Sequence, residues 1–238
     1  MLASLTDAFA STRDALHQVA FYALAPARYA AVGRMGLRPT ASGFGTPEFA
    51  GRVARVESDL LVHETGDGVA TRTITSVRDA ADFFGPGYRV DWFGDFRDPL
   101  APADPDAPLG IDVSSATAIS EWFWFGQRVL ERFGFGASVE DEVAEIQLWP
   151  EHFDLALEAG SADKGRRASY GASPGDRHHD LPYVYVAAWD EIDRSNPFWN
   201  DPHFNGASLG YGDLASSEDP EQTALDFLIE GHRILHAG

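Results

Sequence analysis

The stretch LWPEHFDLAL, residues 148–157, carries a histidine and an aspartate two positions apart inside an apolar run. Alternate side chains of a strand share a face, which predicts that His152 and Asp154 lie on the same side. The opposite side would carry the apolar residues Phe153, Leu155 and Leu157. An imidazole beside a carboxylate supplies two ligands of a 2-His-1-carboxylate metal site. The pattern therefore predicts either part of a metal site or the polar face of an ordinary amphipathic strand.

The third ligand of such a site has to come from elsewhere in the chain. Three downstream histidines lie in polar loops and are candidates: His178, His179 and His203. A divalent metal ion is then the expected cofactor, and a metal-dependent enzyme is the corresponding function. Alternatively, His152 acts as a general base oriented by a carboxylate. The candidates for that carboxylate are Asp154, Asp176 and Asp180.

Aromatic residues provide a second functional hypothesis. YVYVAAW, residues 183–189, has one aromatic and one aliphatic face, and NPFWNDPHFNG, residues 196–206, places a tryptophan in a Pro/Asn-rich loop. Tyr and Trp combine an apolar body with a polar tip, which suits a ligand pocket as well as a core. The favoured prediction is a small-molecule binder whose pocket lies beside the His/carboxylate cluster and is lined by Trp124, Trp149, Tyr185 and Trp199. An interaction protein without a site is a further alternative, which an exposed aromatic patch would support.

GASPG, residues 171–175, matches the G-x-S-x-G pattern of a nucleophile elbow. That elbow uses the backbone N–H of the residue after the serine as an oxyanion donor, and Pro174 has no N–H. The Pro-Gly pair instead fits the centre of a type II turn. We therefore interpret Ser173 as a turn residue, and the turn is predicted to join segments 166–172 and 182–189 as antiparallel neighbours.

Hydrophobic periodicity and capping signals predict the elements that position these residues. The predicted helices are 5–23, 27–34, 76–85 and 115–133, with a final helix after Asp219. A hairpin is predicted around the turn at 65–68. Five strands are predicted at roughly 144–149, 152–159, 166–172, 182–189 and 206–212. Runs of strands bounded by helices indicate an α+β fold, a mainly antiparallel sheet covered by N-terminal helices and a C-terminal helix.

The domain organisation is predicted to be a single α+β domain over residues 1–238. Residues 97–113 contain four prolines and four aspartates, so a subdomain break is expected, if anywhere, in this segment. The N-terminal part shows too few strands to close a core alone, so neither half is expected to fold by itself.

Composition excludes several classes of function. The formal net charge is −19, which disfavours nucleic acid and anionic membranes as partners. The chain has no cysteine, so it has no disulfide, thiolate nucleophile or Cys zinc site, which fits a cytoplasmic location. The N-terminal residues lack the basic and apolar regions of a signal peptide. Nearly all basic charge is arginine, a bias typical of GC-rich bacterial genomes.

Four stretches resemble segments of uncharacterised bacterial proteins: VGRMGLRPTASGFGTPEF, LWPEHFDLAL, GASPGDRHHDLPYVYVAAW and NPFWNDPHF. The order of helices, hairpin and the FDLAL strand is also similar to a broader domain-of-unknown-function family. The resemblance covers most of the chain. These motifs carry no known activity, so the resemblance implies no catalytic residue.

Overall fold

The chain divides into two compact units in a computed structural model that describes residues 2–94 and 100–237. The first unit comprises 4–121 and 148–153, and the second comprises 122–147 and 154–238 together with the first three residues. Helices accompany two antiparallel sheets, so the predicted α+β fold is confirmed. Residues 100–113 of the Pro/Asp-rich segment lie within the first unit, and 97–99 lie outside the described residues. The single-domain organisation stays a prediction.

The first unit begins with a helix that changes its pitch. Helix α1 (Phe9–Val19) passes through a π-helical turn (Ala20–Leu24) into helix α2 (Ala25–Val32). A proline inside a helix lacks an N–H and its ring clashes with the carbonyl four residues earlier. In a π-helical turn, hydrogen bonds join residues five positions apart instead of four. This turn is followed by α2, and Pro26 lies in the first turn of α2. A proline is tolerated there because the missing N–H would have no partner within the helix. The break predicted between helices 5–23 and 27–34 is therefore a local change of pitch.

The sheet of the first unit is an antiparallel meander in the order β1-β2-β3-β4-β5. Its strands are β1 (Arg38–Thr40), β2 (Gly43–Gly45), β3 (Val53–Glu57), β4 (Leu60–Thr65) and β5 (Gly68–Thr73). Thr65 pairs with Gly68 across the β4–β5 turn, so the predicted hairpin is confirmed.

Helix α3 (Val77–Phe84) follows this sheet and has the predicted caps. The Ser76 hydroxyl accepts a hydrogen bond from the backbone N–H of Asp79 at 3.1 Å. Gly85 ends the helix with φ of 107°, a left-handed conformation that suits glycine. Both ends of α3 therefore follow from the sequence.

The Trp-Pro turn of the opening stretch lies between strand β6 (Gln147–Trp149) and the next strand. The His17 Nε2 atom lies 3.0 Å from the carbonyl oxygen of Pro150 and 3.2 Å from that of Glu151. Phe153 is buried with φ of 53°, which is uncommon for a bulky residue. Its ring stacks on His17 at 5.3 Å and meets Phe44 edge-on at 5.0 Å. Packing on both sides thus holds the strained turn.

The second unit contains strands in the order β10-β9-β8-β7. They are β7 (Asp154–Ala159), β8 (Ala168–Ser173), β9 (Tyr183–Ala188) and β10 (Gly206–Gly210). With β6, these are the five strands that the sequence predicts. β8 and β9 pair antiparallel with Gly171 opposite Tyr185, so the predicted pairing of 166–172 with 182–189 is confirmed.

Helix α4 (Val113–Gly136) contributes residues to both units. Within the second unit it approaches β8 closely, because a Cβ atom on Gly126 would lie 2.7 Å from the Cβ of Ala172. The helix passes the predicted end at Gly134, which does not adopt the positive φ of a helix-ending glycine. Gly134 is therefore an interior helical residue.

The second unit ends with helices α5 (Tyr211–Ser216) and α6 (Pro220–His236). Asp219 caps α6 as predicted, accepting a hydrogen bond from the backbone N–H of Gln222 at 3.1 Å. The buried stripe of α6 is Ala224, Leu225, Leu228 and Gly231, whereas Ile229 is exposed although its helical spacing fits that stripe. Among the described residues, no helix combines the length and the apolar character needed to cross a membrane.

Candidate metal centre

Two histidines of α6 and one aspartate form a compact cluster in the second unit. Within the described part of the chain, Asp141, His232 and His236 are the one group of three such residues whose ligand atoms all lie within 4.8 Å of one another. The Nε2 atoms of both histidines lie 3.1 Å from the same oxygen, Oδ1 of Asp141. His232 and His236 are one helical turn apart, which places both rings on one face of α6.

The spacing of these atoms fits a shared metal ion. A zinc-type ion sits about 2.0–2.2 Å from nitrogen and oxygen ligands, so neighbouring ligand atoms lie about 3 to 3.5 Å apart. The two distances of 3.1 Å from Oδ1 to the imidazole nitrogens fall in this range. Both distances from Oδ1 are thus compatible with a shared ion, and all three ligand atoms lie within 4.8 Å of one another.

Backbone hydrogen bonds orient the carboxylate of Asp141. This residue ends a short 3-10 turn (Val139–Asp141), and its Oδ2 accepts a hydrogen bond from the backbone N–H of Ser138 at 2.6 Å. Burial opposes ionisation of Asp141, but the hydrogen bonds from Ser138 and the charge of His232 outweigh it and lower its pKa. Oδ2 is thus fixed by the backbone, and the ionised Oδ1 is presented to the histidines.

The tautomer of His236 follows from its other ring nitrogen. Nδ1 lies 2.9 Å from the carbonyl oxygen of His232, and because a carbonyl only accepts, Nδ1 must carry the proton. In neutral His236 the lone pair is then on Nε2, facing Asp141. A backbone carbonyl that holds Nδ1–H in this way is the usual outer-shell support of a metal-binding histidine.

The surroundings of His232 favour its neutral state. Burial and the positive charge of His236 lower its pKa, and the attraction of Asp141 offsets this only in part. Its buried Nε2 is close to Asp141 but is not aligned for a hydrogen bond to any described residue. The two imidazole rings stack with centroids 3.9 Å apart. Three groups able to donate an electron pair to a cation therefore lie close together at this point.

An aromatic wall lies beside this cluster. Phe133 of α4 contacts the ring of His232 at 5.7 Å and that of Tyr170 on β8 at 4.4 Å. Tyr170 is fully buried, and burial together with the charge of Asp141 raises the pKa of its phenol. Its hydroxyl has no hydrogen-bond partner among the described residues.

Sequence reasoning missed this cluster although a signal was present. H-x-x-x-H spacing on a helix places two imidazoles on one face, and His232 and His236 continue the apolar stripe of α6. Asp141 gave no comparable signal, because its approach to α6 depends on tertiary structure. The aspartate lies in a turn of the segment VEDEV, where it is one of three acidic residues.

The predicted pair His152 and Asp154 has a different setting from the one expected. His152 is an exposed residue of the turn 150–153, and β7 begins only at Asp154. Asp154 is buried and accepts a hydrogen bond from the hydroxyl of Tyr185. Gly171 allows this contact across β8, because a Cβ atom there would lie 2.5 Å from the Tyr185 ring. The first two residues of the predicted strand, His152 and Phe153, therefore belong to the turn.

The three downstream histidines do come together. His178 and His203 are exposed and their rings stack at 4.3 Å, and the ring of His179 meets that of His203 edge-on at 5.5 Å. His179 Nε2 lies 2.9 Å from Oδ2 of Asp201, and its Nδ1 lies 3.3 Å from Oδ1 of Asp176. The network therefore links the β8–β9 loop to the loop before β10. Metal binding by His152, Asp154, His178, His179 and His203 stays a prediction.

Tyr183 anchors the same network from β9. Its hydroxyl donates to Oδ2 of Asp176 at 2.7 Å. Burial opposes ionisation of Asp176, but hydrogen bonds from Tyr183 and from the backbone N–H groups of His178 and His179 lower its pKa. Burial and the charge of Asp176 raise the pKa of Tyr183. These groups already satisfy one another, as expected of a network that holds two loops.

The predicted pocket residues have different environments. Trp124 on α4 is 38% exposed, Tyr185 is half-buried, and Trp199 is buried edge-on against Phe198 at 4.9 Å. These residues belong to the second unit, whereas the half-buried Trp149 belongs to the first. A pocket lined by these four residues stays a prediction.

Ser173 is the last residue of β8, directly before the Pro-Gly pair. Its hydroxyl accepts a hydrogen bond from the backbone N–H of Gly175 at 3.1 Å, and the serine is only 2% exposed. Gly175 has φ of 104°, the positive value that the third position of a type II turn requires.

No protein-family model, curated protein or solved structure matches this chain.

Proposed function

We propose that this chain binds a divalent transition metal ion through Asp141 Oδ1, His232 Nε2 and His236 Nε2. The observation that carries the proposal is the convergence of both imidazole nitrogens on one carboxylate oxygen at 3.1 Å. Support comes from the groups behind the ligands, because Ser138 orients Asp141 and a backbone carbonyl fixes the tautomer of His236.

The ligand types narrow the choice of metal. Two imidazoles and one carboxylate suit Zn²⁺, Co²⁺, Fe²⁺ and similar ions, whereas Ca²⁺ and Mg²⁺ favour oxygen ligands alone. Three protein ligands are the pattern of a catalytic zinc centre, which keeps a position for water or substrate. A metal held in this way supplies an activated water or a Lewis acid. A metal-dependent enzyme is therefore the class of function that this geometry supports best.

Metal binding can be measured directly on the full chain without a histidine tag. After loading with Zn²⁺ and dialysis, we expect one bound ion per chain by elemental analysis. Replacing one ligand in H236Q should weaken Zn²⁺ binding by at least about 100-fold in a calorimetric titration, since even outer-shell changes cost 10–100-fold.

The matched controls are H178Q and H203Q, which remove exposed histidines from the other histidine cluster. We expect both controls to bind Zn²⁺ as the wild-type chain does. Loss of the ion in either control, with retention in H236Q, would place the metal at the loop cluster predicted from the sequence and refute the present assignment.

The aromatic small-molecule pocket stays a prediction, as do a cytoplasmic location, a bacterial origin and the exclusion of nucleic acid as a partner. A chain without any such site, acting through interactions alone, is the alternative that a failure of Zn²⁺ binding would favour.

A further inference from the structure

Tyr170 places a polar group beside the proposed metal centre without giving it a protein partner. The residue lies on β8, is fully buried, and its hydroxyl makes no hydrogen bond to any described residue. Buried hydroxyls almost always find a partner in the protein or in an ordered water. A buried hydroxyl in this state therefore points to a bound group beside it.

The residues that surround Tyr170 include a ligand of the proposed metal site. Its ring lies 6.2 Å from the ring of His232, and both rings contact Phe133. The phenol is also close enough to Asp141 for the carboxylate charge to act on it. Tyr170, Phe133 and His232 therefore pack together beside the residues that would hold the ion.

We propose that Tyr170 donates a hydrogen bond to a small ligand, such as hydroxide or another small anion, bound at the open position of the metal. The inference rests on the proposed metal site and adds the kind of ligand that the fourth coordination position of the metal would bind. Tyr170 is then a positioning residue that holds the metal-bound ligand.

Azide is a suitable probe, because it is a small anion and binding to Co²⁺ changes the visible absorption of the metal. The experiment uses the full chain loaded with Co²⁺, as wild type, as Y170F and as Y183F. Y170F keeps the ring packed on Phe133 and removes only a hydroxyl that has no protein partner, so the fold should be retained. Y183F is the matched control, since it removes a buried hydroxyl that donates to Asp176 in the other cluster.

We expect Co²⁺ to bind all three chains with similar affinity. Azide should bind Y170F about tenfold more weakly than wild type, the size of one hydrogen bond to a charged group. Y183F should bind azide as wild type does. Equal azide affinity in Y170F and wild type, or loss of Co²⁺ itself from Y170F, would overturn the role of Tyr170 and leave the metal site standing. Failure of the wild-type chain to bind Co²⁺ would overturn the metal site as well.

Discussion

His17 should make the stability of the first unit depend on pH. Burial lowers the pKa of its imidazole from 6.5 to about 4, although hydrogen bonds to the carbonyls of Pro150 and Glu151 oppose the shift. The folded chain therefore holds this proton less tightly than the unfolded chain does. The stabilising contribution is fully present above pH 6.5 and is lost as the pH falls toward 4.

The size of the effect follows from the two pKa values. Each pKa unit corresponds to about 1.4 kcal/mol, so a drop from pH 7 to pH 4.5 costs at most about 2.5 kcal/mol. The ring is half-buried, and solvent at its exposed edge reduces this figure. We expect a loss of about 1.5 to 2 kcal/mol that is specific to His17.

The assay is urea unfolding at pH 7 and pH 4.5, with a chelator present so that metal binding does not contribute. In H17Q the amide nitrogen can still donate to the two carbonyls but cannot titrate, so this variant should lose less stability on acidification. H152Q is the control, because it removes an exposed imidazole from the same turn and leaves His17 in place. If H17Q and wild type lose the same free energy between the two pH values, burial does not govern the proton on His17.

Two further outcomes concern the second unit. G126A should lower the free energy of unfolding by about 1–3 kcal/mol, because its new Cβ would lie 2.7 Å from that of Ala172; equal urea midpoints for variant and wild type would show that α4 and β8 are not so close. Ser173 should remain unlabelled by a fluorophosphonate probe, because it is buried in its turn and the next residue, Pro174, has no N–H; a covalent adduct detected by mass spectrometry would contradict this interpretation.

Much of the fold could be predicted because its signals are local. The Ser76 and Asp219 caps each depend on residues a few positions apart, and each occurs as predicted. The predicted helix ends and buried faces were less accurate where tertiary packing determines them. Gly134 continues its helix, and Ile229 faces solvent although its spacing fits the inner stripe.

The candidate site could be predicted only in part, because its ligands are far apart in the sequence. The H-x-x-x-H spacing of α6 can be recognised in the sequence. No local sequence pattern around Asp141 indicates that its carboxylate lies beside that helix. His152 is more conspicuous in the sequence, but its prediction as a strand residue was wrong. Phe153 adopts a positive φ and turns the chain before β7 begins. A side-chain pattern predicts a shared face only while the backbone stays extended.

His236 is the last residue of α6, and helix ends are where a folded chain opens most readily. A metal held by this residue and by Asp141 would join that end to a turn distant in sequence, so it would act as a removable crosslink. Closing a long segment in this way restricts the unfolded chain and resists fraying of the final turns. Metal supply would then set how long the C-terminal helix survives a protease, whatever chemistry the ion performs.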